Sequence, residues 1–345
     1  MRRPYKSIEE VKMKIENFEL MPTPRSLVLF ITGKCNATCT HCFYAKQLNQ
    51  NNDVITLENL TKILSSLNTP TTLSLTGGEP FVLNTIQEIL ECAFVSPNIS
   101  SISIPTNGYF VERIKKTVMS VTQKYPKHLH LQFSLDGLAS THDAIRGLEK
   151  GFEKILEVTQ WAREYSKTQS NFSYMISTTV MKRNLDDIRP LVHHLKLLDL
   201  EHKLTFVRGN SFSTFNVPKK ILRLDYDTKE ELPRYQEIEQ LVQDITKRYP
   251  DYFNAFSQKK VTLTLDVLRE KSQQFVCRAG AQDGVIFHDG TVGVCEQVVP
   301  FGHLSQWDWN LEKAWNSSLA MEHRKMLRGC SCIHGCNIST IAKNG

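Results

Sequence analysis

The chain has 345 residues, 41% of them hydrophobic and 23% charged, which is typical of a soluble globular protein with about two domains. Its net charge of +6 comes without a run of five or six consecutive basic residues, so a nucleic-acid partner is not indicated. There is no signal peptide and no run of about 18 apolar residues, so the nine cysteines indicate a cytoplasmic, metal-binding protein rather than a membrane or disulfide-linked one.

Residues 1–25 contain one amphipathic segment, at about 8–18, which ends before Pro22-Thr23-Pro24. The spacing of its apolar residues predicts a helix packed on the outside of the main domain. We expect residues 1–25 to form this helical extension, which is too short to be an additional peptide-binding domain.

From residue 26 onward, short apolar runs alternate with helical patterns. Neighbouring parallel strands need crossover connections, so this alternation predicts an α/β fold, a partial (βα)6 TIM-like barrel over residues 26–210. The strands are predicted at 26–32, 72–75, 101–105, 128–135, 173–180 and 203–207, and the helices at 56–67, 85–95, 110–124, 151–165 and 185–198.

The predicted strands are polar on one face. In the fourth strand, leucines and a phenylalanine alternate with His128, His130, Gln132 and Ser134. A parallel strand between helices and an ordinary packed core would be apolar on both faces. We therefore predict a barrel with a polar lumen, whose functional residues lie at the carboxyl ends of the strands.

Three cysteines follow the first predicted strand with the spacing Cys35-x3-Cys39-x2-Cys42. A four-iron cluster normally takes four thiolates, so three cysteines leave one iron without a protein ligand. Zinc would need a further pair of ligands, and the next candidate is Cys277. The spacing therefore favours an iron–sulfur cluster with one reactive iron.

This spacing resembles the defining loop of the radical S-adenosylmethionine (SAM) enzymes. The resemblance covers about residues 26–208 and implies that the open iron holds the amino and carboxylate groups of the SAM methionine. His41 stands where the family usually has an aromatic residue, and an imidazole can also stack on adenine. Four further stretches match in the right order: Thr76-Gly77-Gly78-Glu79-Pro80, Pro105-Thr106-Asn107-Gly108, Ser134-Leu135-Asp136-Gly137 and His142-Asp143-Ala144-Ile145-Arg146-Gly147.

The resemblance implies that residues after the second and fourth strands bind SAM. Gly77 and Gly78 would hold the methionine amino group, since glycine lets the backbone approach a ligand closely, and Glu79 is a possible second contact. Ser134 and Asp136 would hydrogen-bond the ribose hydroxyls.

Three more residues are candidate SAM contacts by the same resemblance. Arg146 would pair with the methionine carboxylate, and its alternative is a surface ion pair with Asp143. Asn107 is either a ligand contact or the left-handed residue of an Asn-Gly turn. Phe43 would present its carbonyl to adenine. No side chain is assigned as the catalytic acid or base.

The strand–helix alternation stops after Arg208. Residues 211–275 are predicted as a helical connector, with a loop at 212–218, a helix at 228–248 and a strand-like run at 261–265. Residues 276–345 are predicted as a small domain, made of a hairpin at 285–295 that turns at Asp289-Gly290 and a helix at about 311–328.

Five cysteines lie in this C-terminal region. By count alone they suit a structural zinc site or an iron–sulfur cluster equally well. Their arrangement resembles the twitch domain, a shortened form of the SPASM domain, which carries auxiliary clusters. The resemblance implies one further [4Fe-4S] cluster, held by four of the five cysteines Cys277, Cys295, Cys330, Cys332 and Cys336. The expected ligands are Cys277, Cys295, Cys332 and Cys336, with Cys330 in place of Cys332 as the alternative.

Together the resemblances imply a radical SAM oxidoreductase or maturase with two [4Fe-4S] clusters and an electron donor such as flavodoxin or ferredoxin. The motifs at 134–137 and 142–147 look most like those of enzymes that oxidise or cross-link peptides or proteins. Oxidation of a small molecule, such as an aminocyclitol or a sugar, is the alternative. A non-catalytic iron–sulfur redox protein is a third hypothesis, although such a carrier would not need a polar lumen.

Overall fold

The computed structural model describes residues 20–223, 230–272, 274–275, 277–327, 329–335 and 338. The helix predicted at 8–18 lies outside these residues. None of the helices in the described ranges is long and apolar enough to cross a membrane.

Six parallel strands, paired in chain order, form the main sheet and confirm the predicted barrel-like α/β fold. Their positions lie close to those predicted from the alternation of apolar runs. The strands are β1 (Ser26–Thr32), β2 (Thr71–Gly77), β3 (Ile99–Thr106), β4 (His128–Ser134), β5 (Phe172–Val180) and β6 (His202–Phe206).

Helices connect successive strands, as parallel pairing requires. One of them, α4, was not predicted, because only His142 and Ile145 of its eight residues are buried and it has little apolar periodicity. The helices of the barrel are α1 (Leu57–Ser65), α2 (Ile86–Val95), α3 (Val111–Lys124), α4 (Ala139–Arg146), α5 (Gly151–Thr168) and α6 (Leu185–Leu197).

The lumen of the barrel is polar, as predicted. The apolar residues of β4 are fully buried toward the helices, whereas its polar residues are only partly buried on the other face. Those polar side chains bond to polar side chains of the strands beside β4: His128 Nε2 and His130 Nδ1 lie 2.7 and 2.8 Å from Ser173 Oγ on β5. Lys203 Nζ donates to Gln132 Oε1 at 2.6 Å. The lumen can therefore hold a polar ligand.

The C-terminal hairpin extends the barrel sheet. Strand β8 (Asp283–Ile286) pairs in parallel with β1, and β9 (Thr291–Gly293) and β10 (Gly302–His303) follow in antiparallel pairings. Gly290, with φ of +81°, makes the predicted turn. The result is one sheet in the order β10-β9-β8-β1-β2-β3-β4-β5-β6, which continues across the domain boundary predicted at residue 276.

The strand predicted at 261–265 is wrong, because these residues lie inside α8 (Ala255–Glu270), which follows α7 (Tyr235–Arg248). Asn254 caps the helix by accepting a hydrogen bond from Ser257 N at 2.9 Å. The β-branched residues fit a strand, but burial of one helical face decides the structure. That face carries Val261, Thr264 and Val267.

The single helix predicted at 311–328 is two helices, α9 (Leu311–Trp315) and α10 (Ser318–Met326). The side chain of Ser317 starts the second helix by accepting from Ala320 N at 3.3 Å. Nearby, the loop predicted at 212–218 contains β7 (Thr214–Phe215), which pairs antiparallel with β11 (Ser331–Cys332). This pairing attaches Cys332 to the segment that follows the barrel.

Candidate functional site

The loop with Cys35, Cys39 and Cys42 follows β1 and is fixed by backbone contacts. Thr38 N and Thr40 N donate to the carbonyls of Arg146 and Ile145, at the end of α4, at 3.0 and 2.9 Å. The amide of Cys42 donates to Cys39 O at 3.2 Å, which forms a tight turn between these two cysteines. The loop is therefore held in place by the protein itself.

The three thiols suit an iron–sulfur cluster. Burial raises the pKa of Cys35 to about 12 and that of Cys42 to about 11, so without a cation both thiols are neutral. Metal coordination removes that proton. In the described part of the chain, no three His, Cys, Asp or Glu side chains converge on one metal ion. A cubane does not require this, because its thiolates bind separate irons.

Gly77 and Gly78 pack the end of β2 against the backbone that leads into the cysteine loop. A Cβ on Gly78 would lie 2.0 Å from Lys34 O, and one on Gly77, whose φ is +135°, would lie 2.1 Å from Thr32 O. Two backbone hydrogen bonds fix the same contact, from Gly78 N to Thr32 O at 2.8 Å and from Glu79 N to Lys34 O at 2.9 Å. Glycine is therefore required here by protein packing, and the predicted contact with methionine would come in addition.

We expect Gly78→Ala to lower the free energy of unfolding by about 1–3 kcal/mol, because the new methyl group must displace backbone rather than a flexible side chain. Iron bound after anaerobic reconstitution should fall as well, since the displaced residues precede Cys35. Urea unfolding and iron analysis measure both effects. Gly335→Ala is the matched control, because a Cβ there meets no heavy atom within 4 Å. Equal stability of the two variants would contradict this account.

Glu79 is buried and fully occupied by protein donors. Its Oε1 accepts from Phe81 N at 3.0 Å and from Thr106 Oγ1 at 2.8 Å, and its Oε2 accepts from Asn107 N at 2.7 Å. Burial raises the pKa of this carboxyl above its usual value. The structure thus gives Glu79 a role in joining the ends of β2 and β3, while its contact with SAM remains a prediction.

Asn107 links the end of β3 to the cysteine loop. Its Nδ2 donates to Asn36 Oδ1 at 2.9 Å, between Cys35 and Cys39. The residue with positive φ in this turn is Gly108, at +74°, so Asn107 is not held here as a left-handed turn residue. Asn36 was not singled out from the sequence, because its partner is 71 positions away.

Arg146 and Asp136 form a buried ion pair beside the cysteine loop. Arg146 Nη2 lies 2.7 Å from Asp136 Oδ2, and the two side chains are 11% and 0% exposed. Arg146 Nη1 also lies 3.6 Å from Cys39 Sγ, and His41 Nε2 lies 3.7 Å from Asp136 Oδ2. The alternative surface pair of Arg146 with Asp143 is not formed.

The surroundings of this pair favour the charged forms of Asp136 and Arg146. Burial acts to raise the pKa of Asp136, but Arg146, His41, the Thr179 amide and His142 together outweigh burial, and the pKa lies below its usual value. The amide of Thr179 also donates to Asp136 Oδ1 at 2.8 Å. Asp136 thus holds the guanidinium of Arg146 toward the cysteines.

We expect Asp136→Asn to destabilise the protein by about 3–5 kcal/mol, because it leaves the charge of Arg146 buried without its partner. The exposed pair Arg189–Asp244, with both side chains 39% exposed, provides the control. Asp244→Asn should cost at most about 1 kcal/mol. Urea unfolding of both variants measures the difference, and equal losses would show that the Asp136 pair is not the buried charge pair described.

Several buried nitrogen atoms at this site have no hydrogen-bond partner among the described residues: Asn36 Nδ2, His41 Nδ1 and Arg146 Nε. Buried polar groups are normally paired, so these atoms mark room for a polar ligand. Ser134 is the last residue of β4. It is partly buried and lies on the face of the strand that carries the polar side chains. The residues present therefore fit a cluster with SAM bound beside it.

The C-terminal thiols converge from separate parts of the chain. Contact with Cys330, followed by burial, raises the pKa of Cys277 well above its usual value. Burial, and then the neighbouring thiols of Cys277 and Cys332, raise that of Cys295 in the same way. Cys277 is thus in contact with Cys330, and Cys295 lies near Cys277 and Cys332, while Cys336 lies outside the described residues.

A polar contact that the sequence did not predict links the two cysteine groups. Glu296, which follows Cys295, is buried, and its Oε2 lies 3.5 Å from Arg208 Nη1 and 3.2 Å from His334 Nε2. The guanidinium of Arg208 lies 3.8 Å from the centroid of the Phe43 ring, next to Cys42. In the sequence, the sign of this contact is that Glu296 directly follows the candidate ligand Cys295. Its partners Arg208 and His334 are distant in the chain and are brought to it by the fold.

Comparison with known proteins gives a family-level match for part of the chain. Residues 29–195 match the family model described as the Radical SAM superfamily. The sporulation killing factor maturation protein SkfB of Bacillus subtilis (strain 168) is 20% identical over 319 residues, which cover 90% of this chain and 69% of SkfB.

Two solved structures are similar in fold. Streptococcus suis SuiB bound to precursor peptide SuiA superposes with a TM-score of 0.63 at 16% identity, covering 92% of this chain and 70% of SuiB. The structure of anSMEcpe with bound AdoMet and the Cp18Cys peptide gives a TM-score of 0.59 at 17% identity, covering 92% and 94% of the two chains. At these identities the likeness concerns the fold.

Proposed function

We propose that this chain, which contains a radical SAM domain at residues 29–195, is an enzyme that binds a [4Fe-4S] cluster through Cys35, Cys39 and Cys42 and holds SAM beside it. The observation that carries the proposal is the fixed three-cysteine loop, with the buried guanidinium of Arg146 3.6 Å from Cys39 Sγ. Together the bound cluster and SAM would supply a 5'-deoxyadenosyl radical, which takes a hydrogen atom from an unactivated carbon.

The protein residues would bind and orient SAM. Arg146, held by Asp136, would bind the methionine carboxylate. Ser134 faces the lumen, where ribose hydroxyls would lie, and the backbone of Phe43 would contact adenine. The polar side chains of the lumen would hold the substrate in one orientation, while the apolar side chains behind the strands keep water out of the core.

We propose that the second cysteine group holds an auxiliary [4Fe-4S] cluster. The proximity of Cys277, Cys295, Cys330 and Cys332 supports four protein ligands, with Cys336 as the fifth candidate. Such a cluster would accept an electron from the substrate. Its proposed role therefore fits an oxidation or a cross-link better than an isomerisation.

A peptide or protein is the proposed substrate. SuiB is described with a precursor peptide and anSMEcpe with a bound peptide, and SkfB is named as a maturation protein. By extension, we propose that this chain modifies a ribosomally made peptide and receives electrons from a flavodoxin or a ferredoxin in a reducing compartment. The eight described cysteines are all free thiols, which agrees with that compartment.

Anaerobic reconstitution with iron and sulfide, followed by dithionite and SAM, tests the proposal. We expect methionine and 5'-deoxyadenosine as products, even without a substrate, and about eight irons per chain. Absence of 5'-deoxyadenosine from protein loaded with iron would favour an electron carrier. A content of about four irons and one zinc per chain would exclude the proposed auxiliary cluster but not the radical SAM site.

A further inference from the structure

Strand β6 is one edge of the nine-stranded sheet and pairs only with β5 in the described structure. Glu201 O and Val207 N bond to β5. In a parallel strand, the N–H and C=O groups of successive residues point alternately to the two sides of the strand. Because Glu201 and Val207 bond to β5, the backbone groups of His202, Leu204 and Phe206 point away from β5. No described residue donates to or accepts from these backbone groups. An exposed row of this kind is a template for another strand.

A cavity of about 340 Å³ lies along this edge. It is lined by residues 199–206, by residues 251–254 before and at the start of α8, and by Ile333 and Gly335. Gly335 borders open space, because an added Cβ would meet no heavy atom within 4 Å. An added strand would extend along this edge by about 3.3 Å for each of its residues.

Two residues that line the cavity lie next to the two parts of the candidate active site. Lys203 lines it and also bonds to Gln132 in the lumen. On the opposite side, Ile333 follows Cys332 of the second cysteine group, and the neighbouring His334 contacts Glu296. A chain that bound along β6 would thus lie beside Lys203 and Ile333.

We infer that β6 binds an extended segment of a peptide substrate as an additional strand, with the cavity as its point of entry. This inference rests on the proposed function, and it assigns the site that captures the substrate. A peptide fits better than a small molecule, because the site offers a row of alternating backbone donors and acceptors at the spacing of a polypeptide. Main-chain hydrogen bonds would provide affinity, and the mixed lining would select side chains.

A random dodecapeptide library tests the inference, applied to the reconstituted, SAM-bound protein. One binder is resynthesised, and its affinity is measured for Leu204→Pro and for Leu204→Ala. Proline at 204 removes the outward N–H without breaking a bond to β5, and alanine shortens the side chain but keeps that N–H. We expect binding to the proline variant to be at least about fivefold weaker than to the alanine variant, the effect of losing one hydrogen bond.

A second variant covers the case in which Leu204→Pro does not fold, as judged by iron content and thermal unfolding. Ser257→Trp fills the mouth of the cavity from α8 and should also weaken binding of the same peptide. Hydrogen exchange provides a direct map: the peptide should protect the amides of His202, Leu204 and Phe206. Protection confined to another surface, equal affinity of the Pro and Ala variants, or no binder in the library would each overturn the inference.

SAM cleavage by the wild-type protein without peptide is measured in the same preparation. If 5'-deoxyadenosine forms but no peptide protects β6, the radical SAM proposal survives and the strand-addition site is wrong. If peptide protects β6 but SAM is not cleaved, the binding site survives and the proposed chemistry fails.

Discussion

Replacing Cys35, Cys39 or Cys42 with alanine is expected to lower the rate of SAM cleavage by about 100-fold or more. Each cysteine would be a direct ligand of the first cluster, and loss of even an outer-shell partner of a metal ligand typically costs 10- to 100-fold. The loop is fixed by backbone bonds from Thr38 and Thr40, so the fold should persist without one thiol. The amount of 5'-deoxyadenosine formed under dithionite measures the effect.

Cys92→Ala is the matched control for these variants. Cys92 lies in α2, where its thiol contacts Thr61 Oγ1 at 3.4 Å, and it belongs to neither cysteine group. This variant should cleave SAM at the wild-type rate. The three loop variants should still bind about four irons at the second group. If any loop variant cleaves SAM at the wild-type rate, the replaced cysteine is not a ligand of the first cluster.

Replacing Cys277, Cys295, Cys330 or Cys332 with alanine is expected to lower bound iron from about eight to about four per chain. Cys277 contacts Cys330, and Cys295 lies near Cys277 and Cys332, so loss of one of them would leave the proposed second cluster with three ligands. SAM cleavage without substrate should continue, because the first cysteine loop lies on a different segment. Iron and sulfide analysis beside the SAM cleavage assay separates the two centres.

Cys336→Ala completes this series. If the four described thiols are the ligands, this variant should keep about eight irons. If Cys336→Ala loses four irons and Cys330→Ala loses none, Cys336 takes the place of Cys330. Zinc in the wild-type protein, with iron unchanged in all five variants, would show that the C-terminal group is not an iron–sulfur site.

The strands and helices of the barrel were predictable because their signals are local. Period-two alternation in β4 and helical spacing in α3 are properties of consecutive residues, and burial in the structure follows them. Prediction failed where local propensity opposed tertiary burial. Residues 261–265 favour a strand by composition but lie in α8, whose buried face carries Val261, Thr264 and Val267.

The candidate site was predictable in part, for the same reason. The cysteine spacing and the motifs at the strand ends are contiguous, so the sequence shows them directly. The partners of these residues are not contiguous: Asp136 meets Arg146 and His41, and Glu296 meets Arg208 and His334. Gly78 belongs to a predicted ligand loop, and the structure adds that its backbone packs against Lys34.

By itself, the sequence determined the alternation of strands and helices, the polar face of the lumen and the thiols available to metal, because each depends on residue type and short-range spacing. Only the tertiary structure decided which charges are buried together, that β8 joins β1, and that among the described residues β6 is an edge strand beside a cavity. The physical reason is that ion pairing, strand pairing and cavity formation depend on the distance in space between residues far apart in the chain.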